Sequence, residues 1–234
     1  MKNYNFAFAF PASAFLLFSI GCSPSLIPMD KEEMTRLKNE PKIHVVAYQP
    51  PKFNYSTASD GFAAGAIGAL TGGLGGAAYG LAMESRAQGF ARSYALEDPV
   101  GRARETFIAS LADQVDAARF IPFQDILAED GVEALQKKFG AGVILDFKTE
   151  IWGLMSAPLS VSTYQVPYAV RARFLRLSDG KVLWQGYCHR TGSDAASRAT
   201  WDEFTANSGA LLKKKLSEAA EACGKELVSQ FLGK

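Results

Sequence analysis

The chain has 234 residues, with 25 basic and 24 acidic side chains and a formal net charge of +1 at pH 7. This length predicts one ordinary domain with appendages, and a hydrophobic fraction of 48% is enough to bury a core. Because the basic and acidic side chains nearly balance, the chain has no electrostatic basis for binding nucleic acid.

The first 21 residues have the pattern of an export signal. Lys2 gives a short positive region, residues 6–18 form an apolar region, and Gly21 is the small residue before Cys22. The run Ser19-Ile20-Gly21-Cys22 resembles the lipobox of bacterial lipoprotein precursors, with Ser19 where that box most often has Leu. The resemblance implies cleavage before Cys22 and attachment of lipid to it. The alternatives are an ordinary secretory peptide and an uncleaved anchor helix.

The residues after the cysteine indicate where the anchored protein would reside. Ser23 and Pro24 follow Cys22, and in lipoproteins of this kind the absence of Asp at that place implies sorting to the outer membrane. The domain is then expected to face the periplasm. Residues 22–41 are predicted to be a tether that holds the domain away from the bilayer, with two or three helical turns in residues 30–39. Residues 42–60 are predicted to hold the first strand, residues 43–48, and a loop.

Residues 61–83 form a segment of 23 residues with eight glycines and no charged side chain. At a spacing of four, the small residues Ala64, Gly68, Gly72, Gly76 and Gly80 would lie along one face of a helix. Such a stripe allows another helix to approach closely, and it resembles the glycine-zipper segments of bacterial surface lipoproteins. Because each Gly costs about 1 kcal/mol in an isolated helix, the stripe needs a partner surface. Self-association or membrane contact is one interpretation, and a loop or packing on the domain itself is the other.

Residues 84–234 are predicted to form an α+β domain. The pattern predicts a helix from Asp98 to Ala118, a short strand at 119–123, a helix at 131–139 and strands at 143–151, 164–177 and 181–190, followed by a helix at 208–232. The order β-α-β-α-β-β-β-α predicts a mixed sheet of about five strands with helices on one face. The other face, with Asp146, Lys148, Glu150, Arg171 and Arg173, is predicted to be open to solvent or a partner.

Cysteine usage fits an oxidising compartment. Once Cys22 is acylated, Cys188 and Cys223 remain as an even pair, and the predicted bridge would join the strand at 181–190 to the last helix. The alternative is two buried free thiols. No spaced group of Cys and His predicts zinc, and no cofactor is expected.

The order of elements resembles the periplasmic domains of outer-membrane lipoproteins of the CsgG, LpoB and TolB amino-terminal type, which share an anticodon-binding-like fold. The closest local likeness is the hairpin at 171–186, with its Gly180-Lys181-Val182-Leu183-Trp184 sequence. The resemblance implies a non-catalytic envelope protein. The hydrophobic hairpins expected of a CsgG-like channel are not evident in this chain.

The sequence offers little for catalysis. His44 and His189 lie in no nucleophile motif, and the carboxylate pairs lie in polar stretches. Trp152, Trp184 and Trp201 are predicted to be packed in the core rather than to line a sugar-binding groove. We therefore predict a non-enzymatic interaction module that touches the bilayer through Cys22, self-associates and binds an envelope protein. The alternatives are a structural scaffold without a dedicated partner and a lipoprotein that binds a small ligand or glycan.

Overall fold

The computed structural model describes residues 25–57, 59–60 and 74–234, with residues 74–79 described as backbone. The leader, Cys22 and residues 61–73 of the Gly-rich segment lie outside this range, and with them the predictions for Ala64, Gly68 and Gly72. Across the described residues, none of the helices combines the length and apolarity that a membrane crossing needs.

Eight strands and five helices make up the described part of the chain. The strands are β1 (Ile43–Tyr48), β2 (Asn54–Ser56), β3 (Phe120–Leu127), β4 (Val143–Ser156), β5 (Thr163–Gln165), β6 (Tyr168–Arg176), β7 (Lys181–Arg190) and β8 (Ala199–Thr200). The helices are α1 (Lys31–Asn39), α2 (Leu74–Ser93), α3 (Val100–Ser110), α4 (Val132–Phe139) and α5 (Trp201–Phe231). Short 3-10 turns precede β3 and β8.

The sheet is mixed, with five main strands in the order β3-β1-β4-β6-β7. The β1 strand pairs in parallel with β3 and β4, whereas β4, β6 and β7 form an antiparallel meander. The end of β4 projects beyond β6 and pairs with β2 and β5, and β5 pairs with β8. The predicted α+β class and element order are confirmed. The three additional strands have three residues or fewer, too short for alternation to reveal them.

We call the end of the sheet where Trp152, Tyr168 and Arg190 pair across β4, β6 and β7 the Trp152 end. The β4 strand, the longest, continues past this row to Ser156, so β2, β5 and β8 all lie at this end. The opposite end has Val143, Arg176 and Lys181 in one row.

The first face of the sheet holds the main core, which α1, α2, α3 and α5 cover. Five aromatic rings fill its centre, with centroids between 5.2 and 6.3 Å apart: Phe107, Phe147, Phe174, Trp184 and Phe231. Helix α5 crosses α3 closely because Gly224 has no side chain, since a Cβ there would lie 2.7 Å from the Ala103 carbonyl oxygen. The alternation predicted for residues 164–174 is confirmed, although Val166-Pro167 separates β5 from β6.

The second face of the sheet is half covered, which corrects the prediction of an open face. A smaller apolar cluster joins α4 to β1, β4 and β6: Val46, Tyr48, Leu127, Leu135, Ile144, Leu175 and Leu177. Helix α4 therefore lies on the side opposite the other helices. Asp146 is fully buried and Arg173 is 8% exposed. A bulge between Thr149 and Ile151 also reverses the alternation of β4, so that Trp152 rather than Ile151 joins the main core.

The N-terminal segment from Ser25 onward is part of the domain, which corrects the tether interpretation. Ile27 makes an antiparallel bridge to Gln185 of β7 through two backbone hydrogen bonds of 2.9 and 3.0 Å. Asp30 caps α1 by accepting from the backbone NH of Glu32, and Leu37 is buried in the main core. A chain fixed in this way cannot act as a flexible spacer.

Candidate functional site

The structure contains the disulfide that the sequence predicts between Cys188 and Cys223. Cys188 of β7 and Cys223 of α5 form a disulfide with a Cα–Cα distance of 5.4 Å across a sequence separation of 35. Both residues are fully buried in the main core. The chain has three cysteines, and Cys22, which lies outside the described residues, is the one that does not take part in this disulfide.

The segment that leads to Cys22 is fixed at the edge of the sheet. Besides the Ile27 bridge, Gln185 Nε2 donates to the Ser25 carbonyl oxygen at 2.5 Å. Ser23 and Pro24 alone stand between Cys22 and the first described residue. Three residues span at most about 10 Å when fully extended, so a lipid on Cys22 would lie close to the edge of β7.

The half-covered second face contains a network of charged side chains that the sequence analysis missed. Arg173 binds the Asp146 carboxylate through Nε at 3.0 Å and Nη2 at 2.5 Å, and Tyr48 donates its hydroxyl to the same carboxylate at 2.8 Å. Burial, assisted by the Asp146 charge, raises the pKa of Tyr48, so its hydroxyl stays a donor. The Asp146–Arg173 pair follows from the register of β4 and β6, which a sequence does not specify.

Asp130 extends this network toward the uncovered part of the face. Its carboxylate accepts from Arg171 at 2.7 Å and from Lys148 at 3.0 Å, and its carbonyl oxygen accepts from Arg173 at 2.9 Å. Although partial burial opposes it, hydrogen bonding to these two cations lowers the pKa of Asp130 to about 2. The loop before α4 is thereby fixed to the sheet.

Beyond Asp130, the second face carries polar and aromatic side chains without a covering helix among the described residues. We call this area, with Lys148, Glu150, Arg171, Tyr187 and His189, the uncovered face. Strand register places Lys148, Arg171 and Tyr187 in one row, with His189 two residues farther along β7, and Glu150 lies 4.0 Å from Arg171. His189 is exposed and its ring lies 6.5 Å from that of Tyr187.

Asp98, at the predicted start of a helix, is a buried ionisable group just before α3. Pro99 occupies the N-cap position of α3, and Asp98 accepts from the backbone NH of Val100 at 3.2 Å. Both carboxylate oxygens also accept from the Thr149 hydroxyl at 2.8 Å. Burial raises the pKa of Asp98 to about 6, against the effect of these hydrogen bonds. Asp98 thus holds the start of α3 against the bulge of β4.

The tryptophans pack as predicted rather than forming a groove of their own. Trp184 is 1% exposed at the centre of the main core. Trp201 packs against the rings of Tyr55 and Tyr164, and Trp152 donates its indole NH to the Pro51 carbonyl oxygen at 2.7 Å. Trp152 also borders a cavity of about 390 Å³ between β2 and α2.

A polar cavity of about 290 Å³ lies where β7 meets α5. It is lined by His189, Asp194, Lys215 and Glu218, among others. The other histidine, His44, lies 5.4 Å from the Phe139 ring on the second face. Within residues 25–57, 59–60 and 74–234, no group of three or more His, Cys, Asp or Glu side chains is arranged to hold a metal ion.

The described part of the Gly-rich segment is helical. Helix α2 includes Gly76 and Gly80 of the predicted stripe and continues beyond Met83 to Ser93. A Cβ at Gly80 would find no atom within 4 Å, and Leu81 is 69% exposed. The second half of α2 instead packs on the domain through Ala87 and Ala91. Within the part of the chain that the structure describes, nothing covers the stripe at Gly80.

The chain shares a partial structural likeness with bacterial proteins. The PelC dodecamer from Paraburkholderia phytofirmans is 13% identical with a TM-score of 0.35, over 88% of this chain and 94% of that one. Lipoprotein GNA1162 from Neisseria meningitidis is 14% identical with a TM-score of 0.31, over 82% and 99% of the two chains. No protein-family model and no curated protein matches the sequence. TM-scores below 0.5 reflect only a partial overlap of folds.

Proposed function

We propose that this protein is a lipoprotein of the bacterial outer membrane, held by acylated Cys22, whose domain faces the periplasm and acts as a non-catalytic interaction module. The observation that carries the proposal is the Cys188–Cys223 disulfide, because it pairs two of the three cysteines and leaves the one that directly follows an export-type leader. Disulfides of this kind persist in oxidising compartments such as the periplasm. The lipobox resemblance at residues 19–22 supports the same location.

The anchor allows weak contacts between this domain and a partner to suffice for function. Lipid on Cys22 confines the domain to two dimensions and raises its concentration near other envelope proteins. The uncovered face, with Tyr187 between cationic and acidic side chains, is the surface we assign to an envelope protein partner. The small-residue stripe through Gly76 and Gly80 is the surface we assign to self-association, since its described end has no partner within the domain.

Replacement of the modified residue tests the anchor. In the native host or a Gram-negative expression host, the wild-type protein should be recovered from the membrane fraction, and its N-terminal peptide should carry diacylglycerol and an amide-linked acyl chain by mass spectrometry. Cys22→Ser should remove the lipid and release the protein in soluble form, because two or more acyl chains are what make such binding stable.

The double variant Cys188→Ala/Cys223→Ala is the matched control. It removes two cysteines from the same chain but should remain acylated and membrane-bound. An unmodified thiol at residue 22 of the wild-type protein, or recovery of the wild type from the cytosol, would end the proposal.

A further inference from the structure

The direction of the N-terminal segment indicates which end of the domain faces the bilayer. Because the Ile27–Gln185 bridge is antiparallel, the chain from Ile27 back to Ser25 runs in the direction in which β7 proceeds toward Arg190. Arg190 pairs with Tyr168, which pairs with Trp152. At Ser25 the chain therefore runs toward the Trp152 end, and Cys22 is only three residues away, a separation of at most about 10 Å.

The Trp152 end also carries the two most exposed of the large apolar side chains of the described residues. Leu159 and Val161, in the loop that follows β4, are 109% and 85% exposed. Leu81 of α2 is 69% exposed and follows Gly80, which lines the cavity that borders Trp152. Leu26, next to the Ile27–Gln185 bridge and so beside the middle of β7, is 59% exposed. The two others of this class, Ile121 and Ile126, belong to β3 at the opposite edge of the sheet.

The loop that carries Leu159 has a defined turn structure. The Ser160 hydroxyl oxygen accepts from the backbone NH of Thr163 at 3.0 Å, and the Ser160 NH donates to the Ala157 carbonyl oxygen at 3.1 Å. Leu159 has a φ of +59°, a left-handed conformation that is uncommon for a residue with a bulky side chain. The turn thus holds Leu159 outward although this conformation is unfavourable for it.

We propose that the Trp152 end of the sheet lies against the bilayer that holds Cys22, and that Leu159 and Val161 enter the interfacial region of that leaflet. This proposal rests on the proposed acylation of Cys22. Transfer of these side chains from water to the acyl boundary is favourable, so they add to the anchor and fix the tilt of the domain. The residues of β2 and α2 that flank the Gly-rich segment lie at the same end.

An environment-sensitive fluorophore locates the loop relative to the lipid. Variants Leu159→Cys and Ile126→Cys are each labelled with NBD in the full lipidated protein, where Cys22 is blocked by its thioether and the other two cysteines are paired. Both proteins are reconstituted in vesicles of phosphatidylethanolamine and phosphatidylglycerol. At residue 159, NBD emission should increase about twofold or more, and doxyl-labelled lipids should quench it. At residue 126 neither change is expected.

The results distinguish failure of the proposed orientation from failure of the proposed anchor. A label at residue 159 that stays in water on acylated, vesicle-bound protein overturns the orientation and leaves the anchor intact. A label that is shielded but not quenched by doxyl lipids indicates contact with a second copy and also overturns it. If mass spectrometry shows no acyl group on Cys22, the anchor fails, and the orientation that depends on it fails too.

Discussion

Asp98 illustrates how one buried carboxyl links two elements and makes stability depend on pH. Its pKa of about 6 lies above the usual 3.8, because burial disfavours the charged form. The folded state therefore binds a proton more readily than the unfolded chain between about pH 4 and 6, and the free energy of unfolding falls as the pH rises through this window. At neutral pH the buried charge of Asp98 therefore lowers the free energy of unfolding, although Asp98 accepts hydrogen bonds from Thr149 and Val100.

Asp98→Asn should remove this destabilising charge. The amide oxygen can still accept from Thr149 and Val100 but carries no charge, so the variant should gain about 1 to 3 kcal/mol over wild type at pH 7 and lose the gain near pH 4. Urea unfolding at several pH values measures the difference. Asp179→Asn is the control: a hydrogen bond from Arg176 lowers the pKa of Asp179, so this variant should show no gain over the same window. Parallel pH profiles for wild type and Asp98→Asn would contradict the explanation.

Helix α2 combines two different surfaces within one element. Its second half is fixed to the domain: Ala87 and Ala91 are buried and Phe90 stacks on Tyr55 with a ring separation of 5.1 Å. Its first half presents Gly80 to open space. A helix that is anchored at one end and rich in small residues at the other can accept a second helix without disturbing the core.

Gly68→Leu/Gly72→Leu/Gly76→Leu should abolish any oligomer that the wild-type protein forms in detergent, because three leucines on the stripe prevent close helix approach. Size-exclusion chromatography with light scattering measures the mass. Gly89→Leu is the matched control, since a Cβ at this position of α2 meets open space and lies off the stripe. An unchanged oligomer in the triple variant, with circular dichroism showing a folded domain, would remove this role from the segment.

At the scale of the whole molecule, the domain has distinct ends and faces. The helices α1, α2, α3 and α5 close the first face, and α4 with the Asp146–Arg173 pair closes half of the second. Truncation of one partner of such a buried pair costs about 3 to 5 kcal/mol, so this half is structural. The uncovered face points sideways from the proposed membrane contact, where the proposed periplasmic partner would reach it.

A photoreactive amino acid in place of Tyr187 should capture that partner. In intact cells, illumination should give a discrete adduct with a different protein, identified by mass spectrometry. The same amino acid in place of Ile126, on the edge strand β3, should not give that adduct. A ladder of self-adducts from position 187 would instead support the structural scaffold without a dedicated partner.

The sequence by itself determined what short-range patterns encode. The predicted bounds of 43–48 match β1, alternation defined the core face of residues 164–174, and helical spacing defined α5 from about residue 208 onward. The even pair of cysteines indicated the disulfide before its geometry was visible. The leader and Cys22, which lie outside the described residues, remain predictions from sequence.

Only the tertiary structure decided features that depend on which strands are neighbours. The Asp146–Arg173 pair arises from strand register, the bulge after Thr149 exchanges Ile151 for Trp152 in the core, and α4 converts a polar strand face into a buried one. The sequence predicts a tether for the N-terminal segment because the stretch is polar and contains several prolines. Its bridge to Gln185 is a non-local contact, so no local pattern indicates it. That one contact sets the direction of the chain at Ser25, on which the proposed orientation of the Trp152 end depends.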